Sequence, residues 1–369
     1  MSLKDLSKRI IPASLRRKLR EYQVARTVVH LHGPERIQLA ADEAAVTCVV
    51  KNGEFYIEQF MEHYFRMGFR HIIFLDNGST DRTITLAKQR DHVSVCQSFL
   101  PIQANQGLFK RYLSEKYVDG GWCLDADVDE FFDYPFSDAV SLRQFLEYLN
   151  QRQATAVVTQ LLDMFSAERL SDLTDQQQRP FQEAYPYYDL SEITRVRYRD
   201  SDMRTLFARH NAITNVDTAL QFGGIRKSLY GNNCLLTKHS LFRSNNGLDL
   251  FEHVHFVDKA RLADVSGIMR HYKLTSNALE TAIQNRAGFT ALTDGYDAFI
   301  KLLNNKKDVQ IARTTAVKFR SVDELIPQEF VFVSSEYRQY ASSKVDEKLT
   351  LQSASGNRNE PSLVSDRGF

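Results

Sequence analysis

The sequence predicts an α/β fold, a mostly parallel central sheet between helices with a helical extension at its C-terminal end. Three observations predict it. Short β-branched apolar runs alternate with helix-period segments from Ala44 to Leu124, the pattern of βαβ units around a parallel sheet. Two of those runs stop abruptly in carboxylates, one at Asp76 and one at Asp125-Ala126-Asp127-Val128-Asp129, so polar groups gather where open α/β sheets bind ligands. The chain has 369 residues, 43% hydrophobic and 25% charged, an ordinary globular composition with room for one large domain and appendages.

Residues 1–40 read as a basic, partly helical extension. Lys4, Lys8, Arg9, Arg16, Arg17, Lys18 and Arg20 alternate with Leu3, Leu6, Ile10, Ile11, Leu15 and Leu19. Such a stretch suits either a solvated helix packed on the domain or peripheral attachment to an anionic membrane through residues 1–35. Residues 41–275 hold the principal domain. Ala44–Val50 is a buried strand, and Glu54–Met67 is an amphipathic helix closed by Gly68. His71–Leu75 is the next strand. Asp81 opens a helix to about Arg90, with Ser79 to Asp81 available as caps. Val93–Gln97, Gln106–Lys116 and Trp122–Leu124 continue as strand, helix and strand. Ser141–Asn150 reads as helix and Thr155–Leu161 as strand. Residues 166–200 form a long irregular segment of the kind that often carries function. Residues 276–335 return to helical spacing, and 336–369, rich in Ser, Asn, Lys, Asp and Glu, are expected to be disordered.

The net charge of +1 argues against bulk nucleic-acid binding. Cys48, Cys96, Cys123 and Cys234 are scattered, which suits a reducing compartment better than a disulfide framework or a zinc site. No apolar stretch approaches the roughly 20 residues that span a bilayer. A cytoplasmic protein is expected.

In an extended segment residues two apart share a side, so Asp125, Asp127 and Asp129 are expected to face one way. Carboxylates converging at a strand end suit Mg²⁺ or Mn²⁺, whose shells substrate phosphates can complete. The loop Asp76-Asn77-Gly78-Ser79-Thr80-Asp81 could offer Asp76 to a nucleoside, or be an ordinary strand-to-helix turn.

Val50-Lys51-Asn52, that Asp76–Asp81 loop, and Trp122 leading into Asp127-Val128-Asp129-Glu130-Phe131 resemble family 2-like glycosyltransferases, in the branch related to family 92. Gly223-Gly224-Ile225-Arg226-Lys227, Leu236-Thr237-Lys238, His255 and His271-Tyr272-Lys273 match that group's order of blocks. The resemblance spans roughly residues 44–275. It implies the Rossmann-like nucleotide-diphospho-sugar transferase fold, glycosyltransferase A-type, with a divalent cation. Asp127 and Asp129 would hold the metal. Asp76 would contact the nucleoside, with Lys51, Asn52, Asn77 and Asp81 at the nucleotide end. Arg226, Lys227 and Lys238 would meet the diphosphate, and His255 or His271 would complete the metal shell, with His253 a third candidate. The chain departs from the family in placing Gly53 between Asn52 and Glu54, and in the extra carboxylate of Asp125.

The expected activity is transfer of a sugar from a nucleotide-diphosphate donor, a UDP-sugar first, to a hydroxyl of a saccharide or lipid-linked acceptor. Bacterial surface polysaccharide assembly at the inner membrane face is the context that suits it. If the reaction inverts the anomeric centre, Asp249 and Glu252 are candidates for the base, and spacing does not choose between them. Two alternatives stand beside it. Leu124-Asp125-Ala126-Asp127 also resembles haloacid-dehalogenase-like phosphatases, in which Asp125 would be the nucleophile, and the chain could be a catalytically silent binding relative.

Overall fold

The computed structural model describes residues 12–173, 179–287, 294–305 and 309–356. Helix α1 (Ala13–Thr27) precedes the sheet. The principal elements then follow as β1 (Ala44–Val50), α2 (Glu54–Met67), β2 (His71–Asp76), α3 (Thr83–Lys88), β3 (Val93–Gln97), α4 (Ile102–Tyr117) and β4 (Trp122–Asp125). After these come β5 (Glu130–Asp133), α5 (Leu142–Gln151), β6 (Ala156–Phe165), α6 (Ile225–Tyr230), β7 (Thr237–Arg243), β8 (Gly267–Leu274), α7 (Ala278–Ala287), α8 (Asp294–Asn305) and α9 (Ser335–Gly356).

One eleven-stranded sheet organises the chain, in the order β3-β2-β1-β4-β7-β6 across its middle. The ladders β3–β2, β2–β1 and β1–β4 are parallel. β7 then runs antiparallel between β4 and β6. β8 lies parallel to β6 and carries β5 antiparallel on its other side. Most long strands therefore share one direction, with β7 and β5 opposed. Every residue of β1, β2 and β6 is buried, as expected for strands covered on both faces. Along β1, Val46, Cys48 and Val50 enter the core with Phe60 and Tyr64 of α2. Ala45 and Val49 enter the opposite core with Phe109 and Leu113 of α4. The period-two alternation of the strand thus fills both layers.

The chain leaves β1 toward β2 and β3 on one side, then returns to place β4 on the other. That reversal makes the carboxyl ends of β1 and β4 a topological switch point, where a crevice opens.

The parallel half matches the sequence reading closely, with α4 beginning at Ile102 rather than Gln106 and α3 covering Thr83–Lys88. Two expectations are overturned: residues 309–334 hold only the short 3₁₀ turn Val322–Leu325 where helix was expected, and Ser335–Gly356 is helical. Tyr337 and Ala341 are buried, and Tyr337 donates its hydroxyl to the Pro135 carbonyl at 2.9 Å. Packing outweighs the polar composition there. Leu3 to Ile11 and residues 357–369 lie outside the described part. No helix among the described residues is long and apolar enough to cross a membrane.

Candidate functional site

A cavity of roughly 510 Å³ opens at the switch point. The end of β1 contributes Val49, Val50, Lys51 and Asn52. The loop after β2 gives Asn77 and Gly78, and the approach to α4 gives Phe99 to Gln103 and Gln106. The turn after β4 gives Asp127 to Asp129, β8 gives His271 and Lys273, and the C-terminal helices give Thr281, Gln284 and Tyr296.

The loop after β2 is held by side chains that the sequence marked for ligand contact. Asp76 is buried and accepts from the amides of Gly78 at 2.9 Å and Ser79 at 3.1 Å, and from Gln97 Nε2 at 2.8 Å. It shapes the loop and does not line the cavity. Asp81 likewise turns away, taking the amides of Glu54 and Thr83, each at 3.0 Å. Asn77 does line the cavity, with its amide donated to the carbonyls of Ser98 and Leu100 at 2.7 and 2.9 Å. Gly78 sits at φ +78°, and a Cβ there would stand 3.1 Å from the Phe99 ring. The glycine thus admits both the left-handed turn and the ring beside it. Phe99 is 76% exposed, an aromatic face presented at the cavity mouth that the sequence reading overlooked.

The aspartates do not share one face. β4 ends at Asp125, and residues 127–130 form a turn in which Glu130 N donates to Asp127 O at 2.9 Å. Alternation therefore stops where the motif begins. Asp125 is buried, 2.6 Å from Lys110 Nζ, outside the cavity lining. Asp125, the nucleophile of the phosphatase alternative, therefore does not face the cavity. Asp127 lines the cavity, but Lys110 reaches its Oδ1 and Lys238 its Oδ2, each at 3.1 Å. Burial alone would raise its pKa, and the two ammonium groups outweigh that, holding it far below the usual carboxylate range. Lys238 also meets Glu130 at 2.5 Å. It is a buried counter-ion of the acidic turn, not a free contact for a diphosphate.

Asp129 stands apart from these lysines. Its Oδ2 lies 3.4 Å from His271 Nε2, and both residues line the cavity. His271 Nδ1 meets Asp163 Oδ1 at 2.6 Å, and Arg226 holds the other oxygen of Asp163 at 2.7 Å. Burial works against the charged imidazole, but Asp129 and Asp163 prevail and raise His271 to about 9. The same imidazolium keeps Asp129 low against the upward push of burial.

Several expected contacts fall elsewhere. Arg226 is buried as the partner of Asp163. Lys227 pairs with Glu192 at 3.3 Å on the surface. His255 sits in a turn rather than on a strand, with Nδ1 3.1 Å from the Thr237 carbonyl. It remains neutral through burial and the nearby Lys238 charge, and like His253 it does not line the cavity. Asp249 pairs with Lys259 at 2.9 Å, Glu252 is exposed, and neither lines the cavity.

Lys51, Asn52, Asn77, Asp127, Asp129 and His271 are thus brought together. The residues that sequence reasoning missed are Phe99, Lys110, Asp163, Lys273 and Tyr296. Lys110 and Asp163 each interrupt an apolar run, in Leu108-Phe109-Lys110 and Leu161-Leu162-Asp163-Met164, a signal of buried pairing.

A divalent cation would lie between Asp129 and His271 once the imidazolium gives up its Nε2 proton, because a metal takes only the neutral ring. Their donor atoms converge, and the outer imidazole nitrogen is fixed by a carboxylate, as in metal-binding histidines. Among the described residues no group of three such donors forms, so phosphate and water oxygens would supply the remainder, as hard cations allow. A second cavity of roughly 280 Å³ shares Lys273 and Tyr296 with the first and adds Tyr230, Asn232, Gly295 and Phe299.

No family model matches this chain, and no curated protein matches it. A solved structure that it is similar to, "Crystal structure of HddC from Yersinia pseudotuberculosis", aligns with a TM-score of 0.20 at 8% identity. The alignment covers 35% of this chain and 61% of that one.

Proposed function

We propose that this chain is a glycosyltransferase that binds a nucleotide-diphosphate sugar in the switch-point cavity and passes the sugar to a hydroxyl acceptor. The observation that carries this reading is the chemistry of one cavity. That cavity gathers the exposed ring of Phe99, the polar loop of Asn77 and Gly78 with Lys51 beside it, and the group of Asp129, His271 and Lys273. A nucleobase can stack on Phe99 beside Asn77, in the manner of base–aromatic recognition. The diphosphate then falls beside the cations. Asp129 and His271 would hold Mn²⁺ or Mg²⁺, which neutralises charge on a leaving diphosphate. Asp127, held by Lys110 and Lys238, lines the cavity as a paired rather than a free carboxylate.

Lys273 stands between the two cavities, its Nζ 4.7 Å from the centre of the Tyr296 ring. The smaller cavity is the natural place for the acceptor, in contrast to the exposed neighbourhood of Asp249 and Glu252. Its aromatic walls suit the apolar face of a saccharide, and Asn232 suits the hydroxyl rim.

Calorimetry with UDP and GDP, each with and without Mn²⁺, tests the reading. Cation-dependent binding of a nucleoside diphosphate is expected. Failure of both nucleotides to bind overturns the donor site, and binding indifferent to Mn²⁺ overturns the cation. Binding without turnover of any nucleotide sugar in a donor panel would mark a silent relative.

A further inference from the structure

Helix α1 has two faces of different character. Toward the domain, Val24 is buried in the core with Phe109 and Leu113 of α4. Glu21 lies 3.0 Å from Arg17 and 3.6 Å from Arg111 of α4. Arg20 donates to the Ala104 carbonyl, and Thr27 Oγ1 lies 3.5 Å from Ser98 Oγ. These contacts fix the helix along the segment that leads into α4.

Away from the domain, Leu15, Leu19 and Tyr22 are 48%, 52% and 62% exposed. Their spacing of four and then three residues puts them in one line down the helix. Lys18 and Arg26 are exposed beside them, with the Arg26 guanidinium 5.7 Å from the centre of the Tyr22 ring. The single carboxylate of the helix, Glu21, is engaged by arginines. The exposed face is therefore an apolar line with Lys18 on its flank and Arg26 at its C-terminal end.

We propose that this face of α1 seats the protein on an anionic lipid bilayer. Leu15, Leu19 and Tyr22 enter the boundary between headgroups and acyl chains, and Lys18 and Arg26 meet lipid phosphates. A line of three side chains falls well short of the roughly 800 Å² per partner that a stable protein interface buries. It matches the shallow insertion of an interfacial helix with basic margins. The sequence before Ala13 also carries Lys4, Lys8 and Arg9 among Leu3, Leu6, Ile10 and Ile11. The segment that α1 grips, from Ser98 to Asn105, includes Phe99 to Gln103 of the cavity wall. The helix that meets lipid is therefore packed on the same segment that walls the cavity. The inference stands whether or not the donor reading does.

The test is flotation of the full chain with phosphatidylcholine vesicles, with and without phosphatidylglycerol. Binding is expected only to the vesicles containing phosphatidylglycerol, weakening as salt is raised. The variant Leu19→Glu is expected to weaken it by roughly tenfold or more, and Lys18→Glu with Arg26→Glu to do the same. Both should keep the wild-type melting temperature, because these side chains are exposed. Equal flotation of wild type and variants, or equal binding to neutral vesicles, overturns the proposal. So does a wild type that ignores vesicles but self-associates in sedimentation until Leu19→Glu is introduced, since a second copy would then be the occupant.

Discussion

Asp125, Asp127 and Asp129 share one short segment, and their surroundings give them separate tasks. Asp125 is enclosed beside Lys110, Asp127 is bound between Lys110 and Lys238, and Asp129 alone meets an imidazole in the open cavity. Substitutions should therefore part company. Asp129→Asn is expected to weaken Mn²⁺-dependent nucleotide binding by about 10- to 100-fold while leaving the urea midpoint near wild type. Asp125→Ala leaves a buried ammonium short of a partner and should cost about 3 kcal/mol of stability. If calorimetry and urea unfolding gave the two variants the same profile, the division between structural and ligand-facing carboxylates would be wrong. Phe99 offers a second comparison. A base stacked on an aromatic ring contributes about 1–3 kcal/mol, so Phe99→Ala should raise the nucleotide Kd by about tenfold or more. Its exposure predicts no loss of melting temperature, and unchanged affinity would remove the ring from the site.

At the scale of elements, α9 shows how packing overrides composition. Tyr337 is fully buried, its ring centre 4.9 Å from that of Tyr148, and Tyr340 donates to the Gln144 carbonyl at 3.0 Å. Tyr337→Ala should cost about 3–5 kcal/mol in denaturant unfolding, with nucleotide affinity unchanged in the folded protein. A cost below about 1 kcal/mol would mean that α9 is not docked in solution. The tyrosines and Ala341 were visible in the sequence at helical spacing, but the Ser, Lys and Glu residues around them masked the pattern. β1 to β4 were legible because buried parallel strands leave uninterrupted apolar runs. β5, β7 and β8 were not, because their pairing joins residues far apart in the chain, such as His271 with Glu130 and Leu241 with Leu124. The site divides the same way. Lys51, Asn52, Asn77 and Asp129 lie on local motifs that a reader can see. Asp163 reaches His271 only through the β6–β8 ladder, and Lys110 reaches Asp125 only because α4 packs beneath β4.

At the scale of the whole molecule, the buried histidines set the response to acid. His63, His71, His239 and His255 are all held below the ordinary imidazole value, chiefly by burial. His239 illustrates the balance. Its Nδ1 lies 3.1 Å from the Val257 carbonyl and its Nε2 3.1 Å from the Tyr198 hydroxyl, so the neutral ring is satisfied, and burial makes the charge that a second proton brings costly. Its pKa falls to about 4. The unfolded chain binds that proton near pH 6.5. A folded value lower than the unfolded one gives stability that is complete above about pH 6.5 and is lost as pH falls toward 4. Between pH 7 and 5 this single group should account for about 2 kcal/mol. Carboxyls raised by burial, Asp125 and Glu130 among them, titrate in the opposite sense, so the contribution is best read as a difference. Urea unfolding of the wild type and of His239→Asn at both pH values isolates it. The variant should be less stable throughout, yet lose about 2 kcal/mol less than the wild type on acidification. Parallel losses in the two proteins would show that His239 accepts its proton without leaving its place, and that acid acts on this fold through other groups.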